Sequence, residues 1–289
     1  MTRSLIFAML FSALPVMLPV AAQDLAVSPV AGSIHMINGQ GGNIGVSVGA
    51  DGFLMVDDKF APLADQIRAR LEGLGEGELK FLLNTHFHGD HTGGNEVFGV
   101  ETPIIAHHNV RTRLMTEQRR GDRVTPPAPP AAWPVITFDD AISIHFNGEE
   151  VKVLHIPHAH TDGDALIFFT GSNVVHMGDT FFNQRFPFVD IDSGGAVEGV
   201  IAAGRAVLAH ADDETRIIPG HGPVASPSDL ETYLRMIEET RAAVAAGIEA
   251  GHSLEELQAA GTGDEWASWG DGFISTERWI ATLHRDLTE

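Results

Sequence analysis

The feature that most constrains this chain is the segment of residues 85–94, which reads THFHGDHTGG and follows the apolar run Phe81-Leu82-Leu83. It places three imidazoles and one carboxylate within six residues of one loop, in the order H-x-H-x-D-H. Imidazole nitrogen and carboxylate oxygen are ligands that zinc accepts. Four of them exceed what one tetrahedral ion takes from a single segment, so the pattern predicts a site for two metal ions that other segments complete.

The first 22 residues have the pattern of a cleaved export signal. Arg3 precedes an apolar run from Leu5 to Val20, and the small residues Ala21 and Ala22 follow it. A membrane anchor is the alternative, but the run contains prolines and is shorter than the ~20 apolar residues that span a bilayer. We therefore expect cleavage after Ala22, a periplasmic or secreted mature protein, and no stable membrane association after cleavage.

Composition narrows the chemistry and the partners. The chain of 289 residues has 18 basic and 39 acidic residues, a formal net charge of −21, and no cysteine. A negative field of this size repels nucleic acid phosphates, so we expect a small-molecule substrate and no nucleic acid partner. Without cysteine, no thiolate is available as a nucleophile or as a metal ligand.

Apolar runs and glycine or proline breaks predict alternating strands and helices over residues 23–289, which we interpret as one domain. The proline-rich loop at 124–134 is the expected junction of two halves, about 23–134 and 135–289. The strands predicted in the first half are 33–38, 43–49, 53–56, 80–84 and 103–106, with helices at about 63–74 and 107–120. The strands predicted in the second half are 135–138, 142–146, 151–156, 165–169, 174–177 and 215–218, with helices at about 195–211, 228–250 and 275–287.

Each half therefore has a sheet that needs helices on one face and the other sheet on its second face. This predicts an α/β fold built as a four-layer sandwich of helix, sheet, sheet and helix. Histidine and aspartate clusters follow strands in both halves, so we expect the site where the strand ends of the two sheets meet.

Three further candidate ligands follow apolar strands and lie close to glycine, which lets the backbone turn at a crowded site. They are His160 in HAHTDGD (158–164), Asp179 after VVHMG (174–178) and His221 in PGHG (219–222). His158, two residues from His160, is an alternative to it.

Through these motifs, and over nearly the whole mature sequence, the chain resembles the metallo-β-lactamase-fold superfamily. The resemblance implies the four-layer αβ/βα sandwich of that fold, two Zn²⁺ per chain, and a ligand set like that of glyoxalase II. It favours His160 over His158 as the histidine of the third motif. The implied ligands are His86, His88 and His160 for the first zinc, Asp90, His91 and His221 for the second, and Asp179 as the bridge between them.

Two departures from relatives bear on the activity. One subclass of metallo-β-lactamases has a cysteine where this chain has Asp179, and another lacks the bridging aspartate. Glyoxalase II has a basic C-terminal helical domain for glutathione, whereas this chain ends in an acidic region. We expect an exported dizinc hydrolase that uses a metal-bridging hydroxide on a small ester, lactone, amide or β-lactam, with Asp90 orienting the hydroxide and passing a proton.

The same resemblance leaves two other functions open. One is an iron-dependent oxidoreductase of the sulfur dioxygenase kind, and the other is a non-catalytic periplasmic metal-binding accessory protein. Diiron flavoproteins of this fold carry a glutamate where this chain has His88, which favours zinc over iron; manganese is a further alternative metal.

Other side chains are candidates for supporting roles. Asp57 and Asp58 end a predicted strand where the superfamily often has a carboxylate that orients a metal-bound histidine; a turn or helix cap is the alternative. The loop after Asp179 is either core or the apolar wall of a substrate pocket, with Arg185 available to a substrate carboxylate and Trp133 as a further wall residue. The phenylalanines of that loop are Phe181, Phe182, Phe186 and Phe188.

Overall fold

The structure is a computed structural model that describes residues 24–121 and 123–289. The predicted export signal lies outside the described residues. Within the described ranges, no helix is long and apolar enough to cross a bilayer.

Strands and helices are numbered here along the chain. The strands are β1 (Ala26–Ala31), β2 (Ile34–Asn38), β3 (Ile44–Gly49), β4 (Gly52–Val56), β5 (Leu79–Leu83), β6 (Ile104–His107), β7 (Gln118–Arg120), β8 (Arg123–Thr125), β9 (Ile136–Phe138), β10 (Ala141–Phe146), β11 (Glu149–His155), β12 (Ala165–Phe169), β13 (Val174–Phe182) and β14 (Arg216–His221). The helices are α1 (Ala64–Leu74), α2 (Gly89–Thr92), α3 (Asn95–Phe98), α4 (His108–Met115), α5 (Val197–Leu208), α6 (Pro227–Glu249), α7 (Leu254–Ala260) and α8 (Thr276–Thr288).

Two large sheets account for most of the strands. The first has the order β1-β2-β3-β4-β5-β6-β9; its first four strands form an antiparallel meander, and the rest continue parallel to β4. The second has the order β10-β11-β12-β13-β14 and is antiparallel except for the parallel pair β13 and β14. The predicted α/β class is therefore confirmed.

The apolar residues divide into three layers of core that hold the four layers of structure together. Leu54 and Val56 of β4 pack between the sheets with residues of β11 and β12. Their neighbours Phe53 and Met55 point to the other face and pack on α1, as the two-residue period of a strand requires. A third core joins the outer face of the second sheet to α5, α6 and α8. This is the predicted order of helix, sheet, sheet and helix.

The boundary between the halves differs from the prediction. Strand β9 follows the predicted junction at residue 134, yet it pairs with β6 and so completes the first sheet. The backbone N–H of Val135 already donates to Ile104 O at 2.9 Å. The sheets therefore change after Phe138. A strand of three residues carries too short a pattern to reveal its neighbours.

The helix predicted at 107–120 ends at Met115, and a small hairpin of β7 and β8 follows it. Gln118 explains the early end, because its side-chain amide donates to Arg113 O at 2.8 Å and to Thr116 O at 3.2 Å. These bonds add donors to carbonyls at the end of the helix, where the continuing helical bonds are missing. The first two residues of the region predicted as a proline-rich loop, 124 and 125, are therefore strand.

Candidate metal centre

The side chains proposed as ligands meet at the carboxyl ends of β5 and β14. The turn after β5 leads directly into α2, and the loop between β11 and β12 reaches the same place from the second sheet. The seven side chains are His86 and His88 after β5, Asp90 and His91 in α2, His160 after β11, Asp179 in β13 and His221 at the end of β14. His158 is exposed and its ring contacts Gly194 O at 3.0 Å, so it lies outside this cluster.

The cluster divides into two groups of potential ligands, in each of which the ligand atoms lie within 4.8 Å of one another. We name them the first ligand group and the second ligand group. The first is His86, His88, His160 and Asp179, and the second is Asp90, His91 and His221.

Asp179 faces both groups with different oxygens. Its Oδ2 lies 3.5 Å from His160 Nε2 and 3.8 Å from His86 Nε2. Its Oδ1 lies 3.0 Å from His91 Nε2 and 3.4 Å from His221 Nε2. A carboxylate in this position can bind two ions at once. Gly220 is required beside it, because a Cβ there would lie 2.0 Å from Asp179 Oδ1.

The partners of the outer ring nitrogens show which nitrogen of each histidine carries the proton. His160 Nδ1 lies 2.7 Å from Phe188 O, and His88 Nε2 lies 2.9 Å from Asp190 Oδ2. Both positions require an N–H donor, which leaves lone pairs on His160 Nε2 and His88 Nδ1. These two nitrogens are 2.8 Å apart. Two lone pairs at this distance repel unless a cation binds both of them.

His91 has a similar arrangement. Its Nδ1 lies 2.7 Å from Asp57 Oδ2, so Nδ1 donates to that carboxylate and Nε2 faces Asp179. The buried atoms His91 Nε2, His86 Nε2 and Asp179 Oδ1 have no hydrogen-bond partner among the described residues. Buried polar atoms are rarely left in this way. The donor set of imidazoles and carboxylates therefore fits a pair of metal ions.

The two ligand groups differ in charge. Burial lowers the pKa of His160 to about 4 and lowers that of His86 well below its usual value, so these rings are neutral, as a metal ligand must be. In the second group burial also lowers the pKa of His221, but Asp179 and Asp90 outweigh it and raise the pKa to about 9. The carboxylates thus favour positive charge there, whether a proton or a metal ion carries it.

Asp90 is the most accessible carboxylate of the cluster. Its side chain is 30% exposed and its Oδ2 lies 3.3 Å from His221 Nε2. Burial raises the pKa of Asp90, but His91 and His221 outweigh burial and lower it to about 2. The group is therefore an ionised acceptor at neutral pH.

Of the two adjacent carboxylates predicted to orient a ligand, only Asp57 does so. It binds His91 Nδ1 and also accepts the backbone N–H of Thr85 at 2.8 Å. The carboxylate of Asp58 accepts the backbone N–H of Gly94 at 2.8 Å and supports the turn between α2 and α3. Asp58 thus follows the alternative interpretation of a turn residue.

A cavity of about 700 Å³ opens onto the cluster, and His88, Asp90, Asp179 and His221 contribute to its surface. Phe182, Phe186, Phe188 and Arg185 of the loop after β13 also line it, together with residues of the β7–β8 hairpin. Phe182 stacks on His221, with ring centroids 5.1 Å apart.

Two residues predicted for the pocket wall lie elsewhere. Phe181 is fully buried against Tyr233 in the core beneath α6, because successive side chains of β13 point to opposite faces. Trp133 does not line the cavity; its indole N–H donates to Ala128 O at 2.9 Å and Arg111 covers its ring. Sequence reasoning also missed Asp190, whose only signal was a carboxylate near the end of the aromatic loop.

Comparison with known proteins agrees with this fold. Residues 45–246 match the family described as the metallo-β-lactamase superfamily. The chain belongs to this superfamily.

Curated relatives that the chain matches include hydroxyacylglutathione hydrolases. The protein from Nitrosococcus oceani is 32% identical over 144 residues, which are 48% of this chain and 47% of that protein. The protein from a Polaromonas species is 28% identical over 155 residues, 53% of this chain and 51% of that protein. The chain thus matches about half the length of these relatives.

Solved structures share the fold at low sequence identity. A stereoselective inverting sec-alkylsulfatase from a Pseudomonas species superposes with a TM-score of 0.66 at 13% identity, covering 91% of this chain and 50% of that chain. A metallo-β-lactamase from Pontibacter korlensis superposes with a TM-score of 0.59 at 14% identity, covering 74% of this chain and 99% of that chain.

Proposed function

We propose that the protein is an exported hydrolase that binds two zinc ions and cleaves a small ester, lactone, amide or β-lactam. The observation that carries the proposal is Asp179, whose two oxygens face the two ligand groups at 3.0 to 3.8 Å. Kinship with the hydroxyacylglutathione hydrolases supports hydrolysis as the reaction. The signal-like N-terminal sequence supports export.

His86, His88 and His160 would hold one ion, Asp90, His91 and His221 the other, and Asp179 both. When bound, two zinc ions supply Lewis acidity and lower the pKa of water at the centre to near ~7. The protein supplies the orientation, since Asp57, Asp190 and Phe188 O fix the rings of His91, His88 and His160.

Asp90 is suited to handle the proton of the attacking water. Its carboxylate is ionised, lines the cavity and is held by His221. It can accept a hydrogen bond from the water, take the proton as the water attacks the carbonyl carbon, and return it to the departing oxygen or nitrogen.

The cavity supports a substrate with an apolar body. Phe182, Phe186 and Phe188 form one of its walls, and Arg185 beside them is available to an anionic group of the substrate. The volume of about 700 Å³ lies in the range of small-molecule sites.

The test uses the mature chain and measures metal content and hydrolysis together. We expect two equivalents of zinc, hydrolysis of at least one member of a panel of β-lactam, lactone, aryl ester and thioester substrates, and loss of hydrolysis with a chelator. Asp90→Ala should lower the rate ~100-fold or more, whereas Asp65→Ala, at an exposed position on α1, should not. Protein without bound transition metal, or an Asp90→Ala variant of full activity, would contradict the proposal.

A further inference from the structure

A completely buried lysine lies behind the second ligand group. Lys59 is 0% exposed and follows β4 in a turn where both Asp57 and Lys59 have left-handed backbone conformations, with φ of 64° and 58°. Few residues other than glycine adopt this conformation. Such backbone strain persists where the surrounding structure fixes it, often near functional sites.

The ammonium of Lys59 donates a hydrogen bond to the backbone carbonyl of Gly42. Lysines are almost never fully buried unless they are paired. Here burial lowers the pKa of Lys59 to about 8, although Asp57 and Asp90 oppose the effect. The cost of burying this ammonium indicates that its hydrogen bond to Gly42 O matters to the structure.

Gly42 packs directly against the second ligand group. Its backbone N–H donates to Asp90 O at 3.1 Å. A Cβ on Gly42 would lie 2.1 Å from Cε1 of His91, so the backbone of Gly42 itself forms the wall against that ring.

Asn43 continues this contact to the other half of the fold. Its backbone N–H donates to Gly220 O at 2.7 Å. Its side-chain amide donates to Pro219 O and to Gly222 O, both at 2.9 Å. These three carbonyls belong to the segment that presents His221. The Gly42–Asn43 segment therefore connects α2, which carries Asp90 and His91, with the end of β14.

We propose that Lys59 is a positioning residue for the second ligand group. By holding the Gly42 carbonyl it fixes the Gly42–Asn43 segment, which in turn holds Asp90, His91 and His221 at the spacing that binds the second metal ion. The inference rests on the proposed two-metal function, because it concerns how one of the two ions is held.

The charge of Lys59 and its positioning role affect the affinity for the second metal ion in opposite directions, so measuring that affinity tells them apart. A positive charge close to a cation site opposes binding, so charge alone predicts that removing the ammonium strengthens binding of the second ion. Positioning predicts that removal weakens it, by about 10- to 100-fold as for other groups that orient ligands.

The experiment measures zinc bound at controlled free zinc concentrations for the full mature chain and for Lys59→Met. We expect two binding steps in the wild type, and in Lys59→Met a second step weakened at least ~10-fold with the first step unchanged. Lys152→Met, at an exposed position on β11, is the matched control and should bind zinc as the wild type does. Thermal unfolding of the metal-free proteins checks that Lys59→Met remains folded.

Asn43→Ala tests the same segment from its other end and keeps the inference testable if Lys59→Met does not fold. It should also weaken the second step and spare the first. Wild-type or tighter binding of the second ion in folded Lys59→Met, or equal weakening of both steps, would overturn the proposal. Failure of the wild type to bind two zinc ions would instead refute the proposed function.

Discussion

Among the described residues, histidine rings from the two halves of the fold meet one another in two places, and the surroundings of the rings differ. At the metal centre, ring nitrogens converge on one another and on Asp179. At the second place, His107 at the end of β6 stacks on His155 at the end of β11, with centroids 3.7 Å apart and planes at 7°. There the Nδ1 atom of each ring has a backbone partner. The backbone N–H of Asn109 donates to His107 Nδ1, and His155 Nδ1 donates to Asp164 O.

The comparison teaches that burial alone does not identify a ligand histidine. His107 is 2% exposed, and burial together with His155 and His108 lowers its pKa to about 4. This resembles the state of His160. The difference lies in whether lone pairs converge where a cation can satisfy them, or are already satisfied by neighbouring backbone groups.

The largest expected effect comes from removing the carboxylate on which both ligand groups converge. Asp179→Asn should lower zinc content from two equivalents to one or fewer and reduce hydrolysis by about 10³-fold, because it removes one charged ligand from each ion. Metal analysis and initial rates measure the change. Asp213→Asn, at an exposed position, serves as the control. Full zinc content in Asp179→Asn would contradict the view that the first histidine cluster, unlike the second, depends on a shared carboxylate to bind metal.

A smaller effect is expected where a carboxylate only orients a ligand. Asp57→Asn weakens the acceptor of the His91 proton, and we expect the affinity for the second zinc ion to fall by about 10- to 100-fold. Competition with a chromogenic chelator measures this affinity.

Asp58→Asn is a matched control for that variant. Burial raises the pKa of Asp58 well above its usual range, and the amide keeps an oxygen that can accept the backbone N–H of Gly94. Equal losses of affinity in the two variants would show that the turn, and not the contact with His91, sets the affinity.

The smallest effect concerns the stacked histidines and appears in stability. Because the pKa of His107 is about 4 in the folded protein against 6.5 for an ordinary histidine, the unfolded chain binds the extra proton first as pH falls. Stability from the neutral ring is complete above about pH 6.5 and declines between that value and about pH 4.

Replacement of this ring should flatten the pH dependence. In denaturant unfolding with chelator present, His107→Phe should reduce the slope of unfolding free energy between these pH values by up to about 1.4 kcal/mol per unit. His145→Phe, at an exposed position on β10, should leave the slope unchanged. An unchanged slope in His107→Phe would mean that protonation of His107 does not contribute to the pH dependence of stability.

Local motifs together with the family resemblance predicted the fold class and the seven side chains that the structure brings together. Periodic apolar runs predicted most strands and helices within a few residues, because buried faces impose the period. Which of the two sheets a short strand joins was not predictable. β9 pairs with β6 through backbone bonds that most short extended segments could form.

The supporting residues of the site were predicted less well, for a related physical reason. Asp190, Asn43 and Lys59 act through contacts with residues 17 to 179 positions away in the chain. No local pattern marks such contacts. Phe181 and Phe182 are adjacent in sequence and both buried in the core, yet only Phe182 also lines the cavity.

The origin of the cavity wall has a consequence for how this scaffold can change. The β7–β8 hairpin supplies Gln118, Arg119 and Thr125 to the wall, but none of the seven potential ligands and none of the groups that orient them. This part of the cavity wall and the candidate ligands are thus encoded in separate stretches of the chain. Insertions or exchanges within the hairpin can therefore reshape the cavity while the candidate ligands are retained.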